Sequence, residues 1–371
     1  MPSAPGESDQ QFYRKYLMSM QGISVVMCCY NGATRLPETL KHLASQRTEG
    51  SFDWEVLVIN NGSTDDTKKT ALAEWQRLAG SMPLRVVDEP TPGKTHALEK
   101  GFSLAQYDYV LVCDDDNWLD AHYLQVAYEV LESNPGIGIL GGQGEAVHQE
   151  AAPRWFTEYA GNYAVGRQAP QSGDVTQSRG YLWGAGMVFR KLLWQQLGQI
   201  GFQPLLVDRK GASLSSGGDY EFCAAARLLG YRLYYDERLK FKHFIPGQRL
   251  SWDYLRRLRR ALGASEAYTR LYGYVLDKRL TDDCRAYDAR DLVAGDARLL
   301  LASGKRLYFF LFRNLEGEVY FSNYEYAWGR LTATLQSWFS HQRLIRQIES
   351  TFAGHSGKAQ RLENVQNCSD K

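Results

Sequence analysis

The sequence predicts an α/β fold: a mostly parallel sheet with helices on both faces, followed by a C-terminal helical appendage. Three observations carry that expectation. Short, near-continuously apolar runs alternate with helical patterns from Ile23 to about Leu140. Three of those runs end in polar clusters: YNG after Cys29, NNGSTDD after Ile59 and DDDN after Cys113. From Trp252 onward the strand pattern gives way to amphipathic helical stretches.

Taken in order, ISVVMCC reads as a buried strand and TRLPETLKHLASQ as a helix with Pro37 in its first turn. WEVLVIN is a second strand. STDDTKKTALAEWQRLA then offers a Ser/Thr/Asp cap, an acidic first turn, and Ala71, Leu72, Trp75, Leu78 and Ala79 on one face. PLRVVDE reads as a strand, GKTHALEKGFSLA as a helix, DYVLVC as a strand and DAHYLQVAYEVLES as a helix with Asp120 as its candidate cap. IGIL closes the series. Residues 142–180, rich in Gly, Gln, Ala and Ser, read as long loops. GYLWGAGMVFRKLLWQQLG follows as strand into helix, and the segment from Ser215 to Phe244 as a helix, a glycine stop and strands. GIGILG, Gly136 to Gly141, fits the dinucleotide glycine string but lies in a predicted strand with a helix before it, so it is rejected.

Bulk composition narrows the function. The 371 residues suffice for one large domain plus an appendage, or for two domains, and 44% apolar content supplies a core. A net charge of +1 gives no whole-chain field for nucleic acid or membrane. The six cysteines lack metal-site spacing and read as reduced thiols. No apolar run reaches the roughly 18 residues of a spanning helix, and the N-terminus has no signal core, so a cytoplasmic protein is expected.

In open parallel sheets ligands bind beyond the carboxyl ends of the strands. The three polar clusters converge there, and the sharpest is Asp114–Asp116. Like charges repel, and burying them is costly without a positive partner. Strand alternation would put Asp114 and Asp116 on one side, where they could share a divalent cation, or divide the work between a metal and a sugar hydroxyl. A solvated acidic turn is the alternative.

CCYNG, VINNGSTDD, PGKTHALEKG, VCDDDNWL, WGAGMVFRK and SGGDYEFCAAARLLGYRLYY occur in that order. Together, over residues 23–262, they resemble glycosyltransferase family 2, with the GT-A nucleotide-sugar fold. The resemblance implies inverting transfer from a nucleotide diphosphate sugar, most often UDP-linked, to a glycan or lipid-linked acceptor, with Mn²⁺ or Mg²⁺ as cofactor. It implies metal contacts from Asp114, Asp116 and His243, and nucleotide-sugar contacts from Tyr30, Asn31, Asn60, Asn61, Lys94, Asp114 and Asp115. Asp219 in GGDYE corresponds to the general base, with Glu221 in support, and Trp183 and Gly184 fall on the acceptor side. Two positions depart from the family pattern. Gly218 stands where glutamate is usual, and Asn60 where an aspartate usually reads the nucleobase, although an amide offers both donor and acceptor.

The implied organisation is a tail over 1–22, a catalytic domain over 23–262 divided at 141/142 into nucleotide and acceptor halves, and a helical region over 263–371 with a frayed end. RLSWDYLRRLRRALG and KRLYFFLF, from Lys305, read first as a helical subdomain packed on the catalytic domain. Peripheral contact with a membrane surface is the second reading. A sugar-nucleotide nucleotidyltransferase would want a Gly- and Arg-rich loop after the first strand, which CCYNGATRLPETL lacks. A non-catalytic relative is opposed by the intact Asp114, Asp116 and Asp219.

Overall fold

In β1 (Gly22–Cys29) nearly every residue is buried, because side chains alternate between two covered faces. Ile23, Val25 and Met27 join one core, with Val56, Val58 and Leu111; Val26 joins the other, with Leu57, Ile59 and Val110. The computed structural model describes residues 20–80, 82–206, 214, 216–280, 287–307 and 316–354.

The first half alternates as the sequence predicts: α1 (Leu36–Ala44), β2 (Asp53–Asn61), α2 (Thr67–Arg77), β3 (Leu84–Glu89), α3 (Lys94–Leu104) and β4 (Tyr109–Val112). A short β5 (Asn117–Leu119), α4 (Tyr123–Ser133) and β6 (Ile137–His148) follow. Then come α5 (Phe156–Tyr159), β7 (Gly173–Asp174), β8 (Val188–Arg190), α6 (Lys191–Gln199), α7 (Gly218–Leu228) and β9 (Arg232–Ile245). The sheet order is β3-β2-β1-β4-β8-β6-β9-β5, with β7 paired to β9. β3, β2, β1 and β4 run parallel. The second half is mixed: β8 is antiparallel to β4 and β6, while β6 and β9 are parallel.

Some local expectations fail for identifiable reasons. Leu72 is 48% exposed, because α2 buries only Thr67, Ala71 and Trp75, and Ala79 has already turned left-handed at φ 50. α2 has no acidic first turn, and Asp65 instead accepts from the Thr67 N–H at 3.1 Å. Asp120 does not cap α4; it accepts from the N–H of His122, the residue that does occupy the cap position. Residues 142–148 are not loop but a continuation of β6 beside β9. Their glycine content misleads because it answers to packing. The register shifts between Gly141 and Gln143, and a Cβ on Gly142 would lie 2.0 Å from the Leu239 carbonyl oxygen.

The C-terminal helices are α8 (Trp252–Leu280), α9 (Ala289–Leu307), α10 (Val319–Ser337) and α11 (His341–Thr351). The boundary expected near residue 262 falls within α8. Leu271, Tyr272, Val275 and Leu276 of α8, with Ile345 and Ile348 of α11, enter the same core as the sheet and α7. The arginine cluster is spent largely on internal contacts: Arg256 and Arg260 both reach the buried Glu325 of α10, and Arg257 pairs with Asp253. That supports packing rather than a basic face. Among the described residues no helix is long and apolar enough to cross a membrane. The aromatic run after Leu307, the tail from His355 and residues 1–19 lie outside the described residues.

α8 and α10 meet through reciprocal glycines. A Cβ on Gly263 would lie 2.0 Å from the Tyr326 carbonyl oxygen, and one on Gly329 would lie 2.0 Å from that of Arg260. Backbone cannot yield as a flexible side chain does, so the helices must separate. Gly263→Ala is expected to cost about 1–3 kcal/mol of stability, read as a lowered urea midpoint. An unchanged midpoint would mean that the helices are not held this closely.

Candidate active site

β4 ends at Val112, and the three aspartates lie on the turn beyond it, closed by the Asn117 N–H donating to the Asp114 carbonyl at 3.1 Å. Because this segment is a turn rather than extended chain, strand alternation does not govern it. Asp114 and Asp116, expected on one side, have different cationic partners. Lys94, at the first position of α3, holds Asp114 Oδ1 at 2.6 Å. Arg35 makes a fork to both oxygens of Asp115, at 3.2 and 2.7 Å. Arg249 reaches Asp116 Oδ2 at 3.1 Å, and His243 Nε2 lies 3.5 Å from Asp116 Oδ1.

Burial raises the Asp115 carboxyl to about 6, against the pull of Arg35. For Arg249, burial is the largest single influence and would lower the guanidinium's pKa; Asp116, Tyr254 and Asp115 together outweigh it and hold the value above the ordinary one. Arg35 was not assigned to the site from sequence. The available signal was electrostatic: adjacent buried carboxylates require cations.

A cavity of about 560 Å³ opens beside this turn. Lys94, Asp114, Trp183, Gly184, Asp219 and His243 all line it, joining both halves of the domain. Asp219 sits in the first turn of α7, one residue past the helix start rather than at the cap, which is Gly217. Its Oδ2 accepts from the Gly184 N–H at 3.1 Å and its Oδ1 from the Tyr220 N–H at 2.9 Å. These bonds fix the carboxylate in one orientation. The Trp183 N–H is held by Gln168 Oε1 at 2.8 Å.

Glu221, expected to support the base, turns away from the cavity. It is fully buried, and its oxygens accept from the N–H groups of Leu205 and Leu206 at 2.6 and 2.9 Å. Its work is to fix that loop. Asn61 is likewise structural: it donates to the carbonyls of Glu89 and Thr91 and accepts from the Gly93 N–H, which sets the residue before Lys94. Asn31 binds the Ser63–Thr64 turn through its N–H and its side-chain oxygen, while Tyr30 is 58% exposed at the end of β1. Asn60 pairs in register with Asp88 of β3 and donates to its Oδ1 at 2.9 Å, leaving Asn60 Oδ1 with no partner among the described residues. Asp88 thus brings a carboxylate to the position where Asn60 lacks one, and sequence reading did not find it.

His243 bears on metal binding. Its Nδ1 lies 2.7 Å from the Tyr163 carbonyl, which can only accept, so Nδ1 carries the hydrogen and Nε2 is turned to Asp116. Carbonyl-anchored imidazoles beside a carboxylate suit a divalent cation. Among the described residues no group of three His, Cys, Asp or Glu side chains could hold a metal. Two protein donors completed by water and substrate phosphates nevertheless fit Mg²⁺ or Mn²⁺.

The half-parallel sheet covered on both faces, with an acidic turn opening on a cavity, is a GT-A-type fold. Residues 24–196 match the family described as Glycosyl transferase family 2. It is 30% identical over 124 residues to the poly-beta-1,6-N-acetyl-D-glucosamine synthase of Staphylococcus epidermidis, covering 33% of this chain and 28% of that one. The enzyme of the same name from Staphylococcus aureus (strain COL) is 27% identical over the same length. The match spans little more than a quarter of either relative. Among solved structures, a mannosyltransferase from Pyrobaculum calidifontis in complex with GDP-Man and Mn²⁺ superimposes with a TM-score of 0.52 at 18% identity, over 86% of this chain and 88% of that one, a likeness of fold.

Arg35 limits the cost of ionising Asp115. The folded pKa, about 6, lies above the ordinary carboxyl value of 3.8, so this group's ionisation removes stability as pH rises between those values. Without Arg35 the penalty grows wherever Asp115 is charged. Arg35→Met should therefore destabilise by about 3 kcal/mol at pH 8 and distinctly less at pH 5, where the carboxyl is protonated. Urea unfolding at the two pH values checks this; a loss that is equal at both contradicts it.

Proposed function

We propose that the protein transfers a sugar, with inversion at the anomeric carbon, from a UDP-linked donor to a hydroxyl of a glycan or lipid-linked acceptor. One observation carries the reading: Lys94, Asp114, Asp219, His243 and Arg249, from well-separated segments of chain, meet around one cavity. The name of the curated relatives, synthases of an N-acetyl-D-glucosamine polymer, supports a glycan acceptor.

In this reading Asp219 is the general base. An acceptor hydroxyl donates to its carboxylate and gives up the proton as the oxygen attacks the anomeric carbon; the bond from that carbon to the diphosphate oxygen breaks on the opposite face. The backbone N–H groups of Gly184 and Tyr220 hold the carboxylate in one orientation, so no reorganisation is needed during attack. Lys94 and Arg249 supply positive charge where the leaving diphosphate gains negative charge. Asp116 and the Nε2 of His243 would hold Mn²⁺ or Mg²⁺, which when bound supplies Lewis-acid neutralisation of the same charge. Asn60 and Asp88, at the paired ends of β2 and β3, form the nucleobase side with Tyr30 as a stacking surface.

Asp219→Asn keeps the shape and one of the two N–H contacts but removes the base. Transfer from UDP-sugar should fall by about 10²–10⁴-fold while the thermal stabilisation by UDP is unchanged. Retention of transfer would remove Asp219 from the role.

A further inference from the structure

Four lysine and arginine side chains line the cavity among the described residues: Lys94, Arg249, Arg259 and Arg270. Three of them face carboxylates. Lys94 pairs with Asp114, Arg249 with Asp116, and Arg270 with Asp296 at 3.2 Å and Glu266 at 3.6 Å. Arg259 differs. Its Nε donates to Ser322 Oγ at 2.9 Å and its Nη2 to Asn323 Oδ1 at 3.2 Å, and the guanidinium lies 4.4 Å from the centre of the Tyr326 ring. All three partners are neutral, and no carboxylate lies within ion-pairing distance of Arg259 among the described residues. Glu266, which acts on it from further away, is already engaged by Arg330, Arg270 and the Tyr326 hydroxyl. The neighbours on α8 make the contrast: Arg256, Arg257 and Arg260 all have carboxylates, and none of them lines the cavity.

A guanidinium offers five N–H donors in a flat fork suited to carboxylate and phosphate. Here neutral oxygens use two of them, which orients the group without neutralising it. Desolvation pushes the Arg259 pKa below its ordinary value despite Tyr326, Tyr159 and Glu266, the mark of a cation short of negative charge. The same cavity carries Trp183, Tyr254 and Tyr326, faces on which a sugar ring can lie, and Asp219.

We propose that Arg259 grips an anionic group of the acceptor, a carboxylate or a phosphate, so that the sugar is transferred to an acidic glycan. The inference deepens the transferase reading above and rests on it. Asp219 would meet the acceptor hydroxyl while Arg259, on the helical appendage, selects the charge.

The test uses the full chain saturated with UDP and Mn²⁺, so that added anions do not enter the diphosphate site. Calorimetry compares methyl glucuronide and glucose 6-phosphate with neutral methyl glucoside. At least one anionic sugar should bind about tenfold more tightly than the neutral one, and which of the two does so separates carboxylate from phosphate. Arg259→Gln should erase the preference, Arg259→Lys should restore part of it, and Arg257→Gln, outside the cavity, should keep it. Equal affinities in the wild type, a preference that survives Arg259→Gln, or weakened UDP binding in that variant would each overturn the assignment. Should Arg259→Gln fail to fold, salt titration of the wild type serves: the preference must shrink as salt rises, and a salt-independent one overturns the proposal. UDP binding by the wild type is measured first. Its absence counts against the transferase reading alone, and the charge preference is then scored by the same criteria on the nucleotide-free protein.

Discussion

Three consecutive carboxylates at one strand end cannot be held together without positive charge, and that constraint organises the site. The chain meets it by sending each aspartate to a different cation: Asp114 to Lys94 of α3, Asp115 to Arg35 beside α1, and Asp116 to Arg249 after β9. Each pair ties a separate piece of chain to the turn after β4. The consequences differ with burial. Asp115 is 7% exposed and its pair is bidentate, a fixed structural clamp under the turn. Asp114 and Lys94 stand paired at the cavity wall. Asp116 lies between an arginine and an imidazole whose other nitrogen is anchored to a backbone carbonyl.

The helical appendage is part of the same machine. α8 leaves the sheet immediately after Arg249, and its residues Leu258, Arg259, Leu262 and Ser265 form cavity wall. Close glycine contacts lock α10 against it, which carries Tyr326 to the cavity as well. The strand ends that the family pattern describes form one side of the site. The helices that complete the cavity wall lie beyond residue 196, where the family match ends.

Much of this was legible in the sequence. Short, near-continuously apolar runs identified the strands of the first half, and their polar ends lie at the acidic turn beside the cavity. Asp219, Lys94, His243, Trp183 and Gly184, assigned from the resemblance, do line one cavity. What the sequence could not give was pairing over long separations. Arg35 and Arg249 meet their aspartates across 80 and 133 residues, and neither has a local pattern that distinguishes it from a solvated arginine. Asp88 is visible only once β3 lies in register with β2. Glu221 and Asn61 carry suitable chemistry but spend it on backbone N–H and carbonyl groups, a demand that appears only when the loops have a path. β6 was cut short because glycines required by close packing against Leu239 resemble the glycines of loops.

The central claim is that the acidic turn, with His243, exchanges its internal cations for a divalent ion carrying a diphosphate. Electron paramagnetic resonance of Mn²⁺ titrated into the protein with and without UDP tests it directly, because free and bound ion differ in signal. The account predicts about one ion bound per chain when UDP is present, much weaker binding without it, and loss of the site in His243→Ala. Mn²⁺ uptake that ignores both UDP and His243 would contradict it.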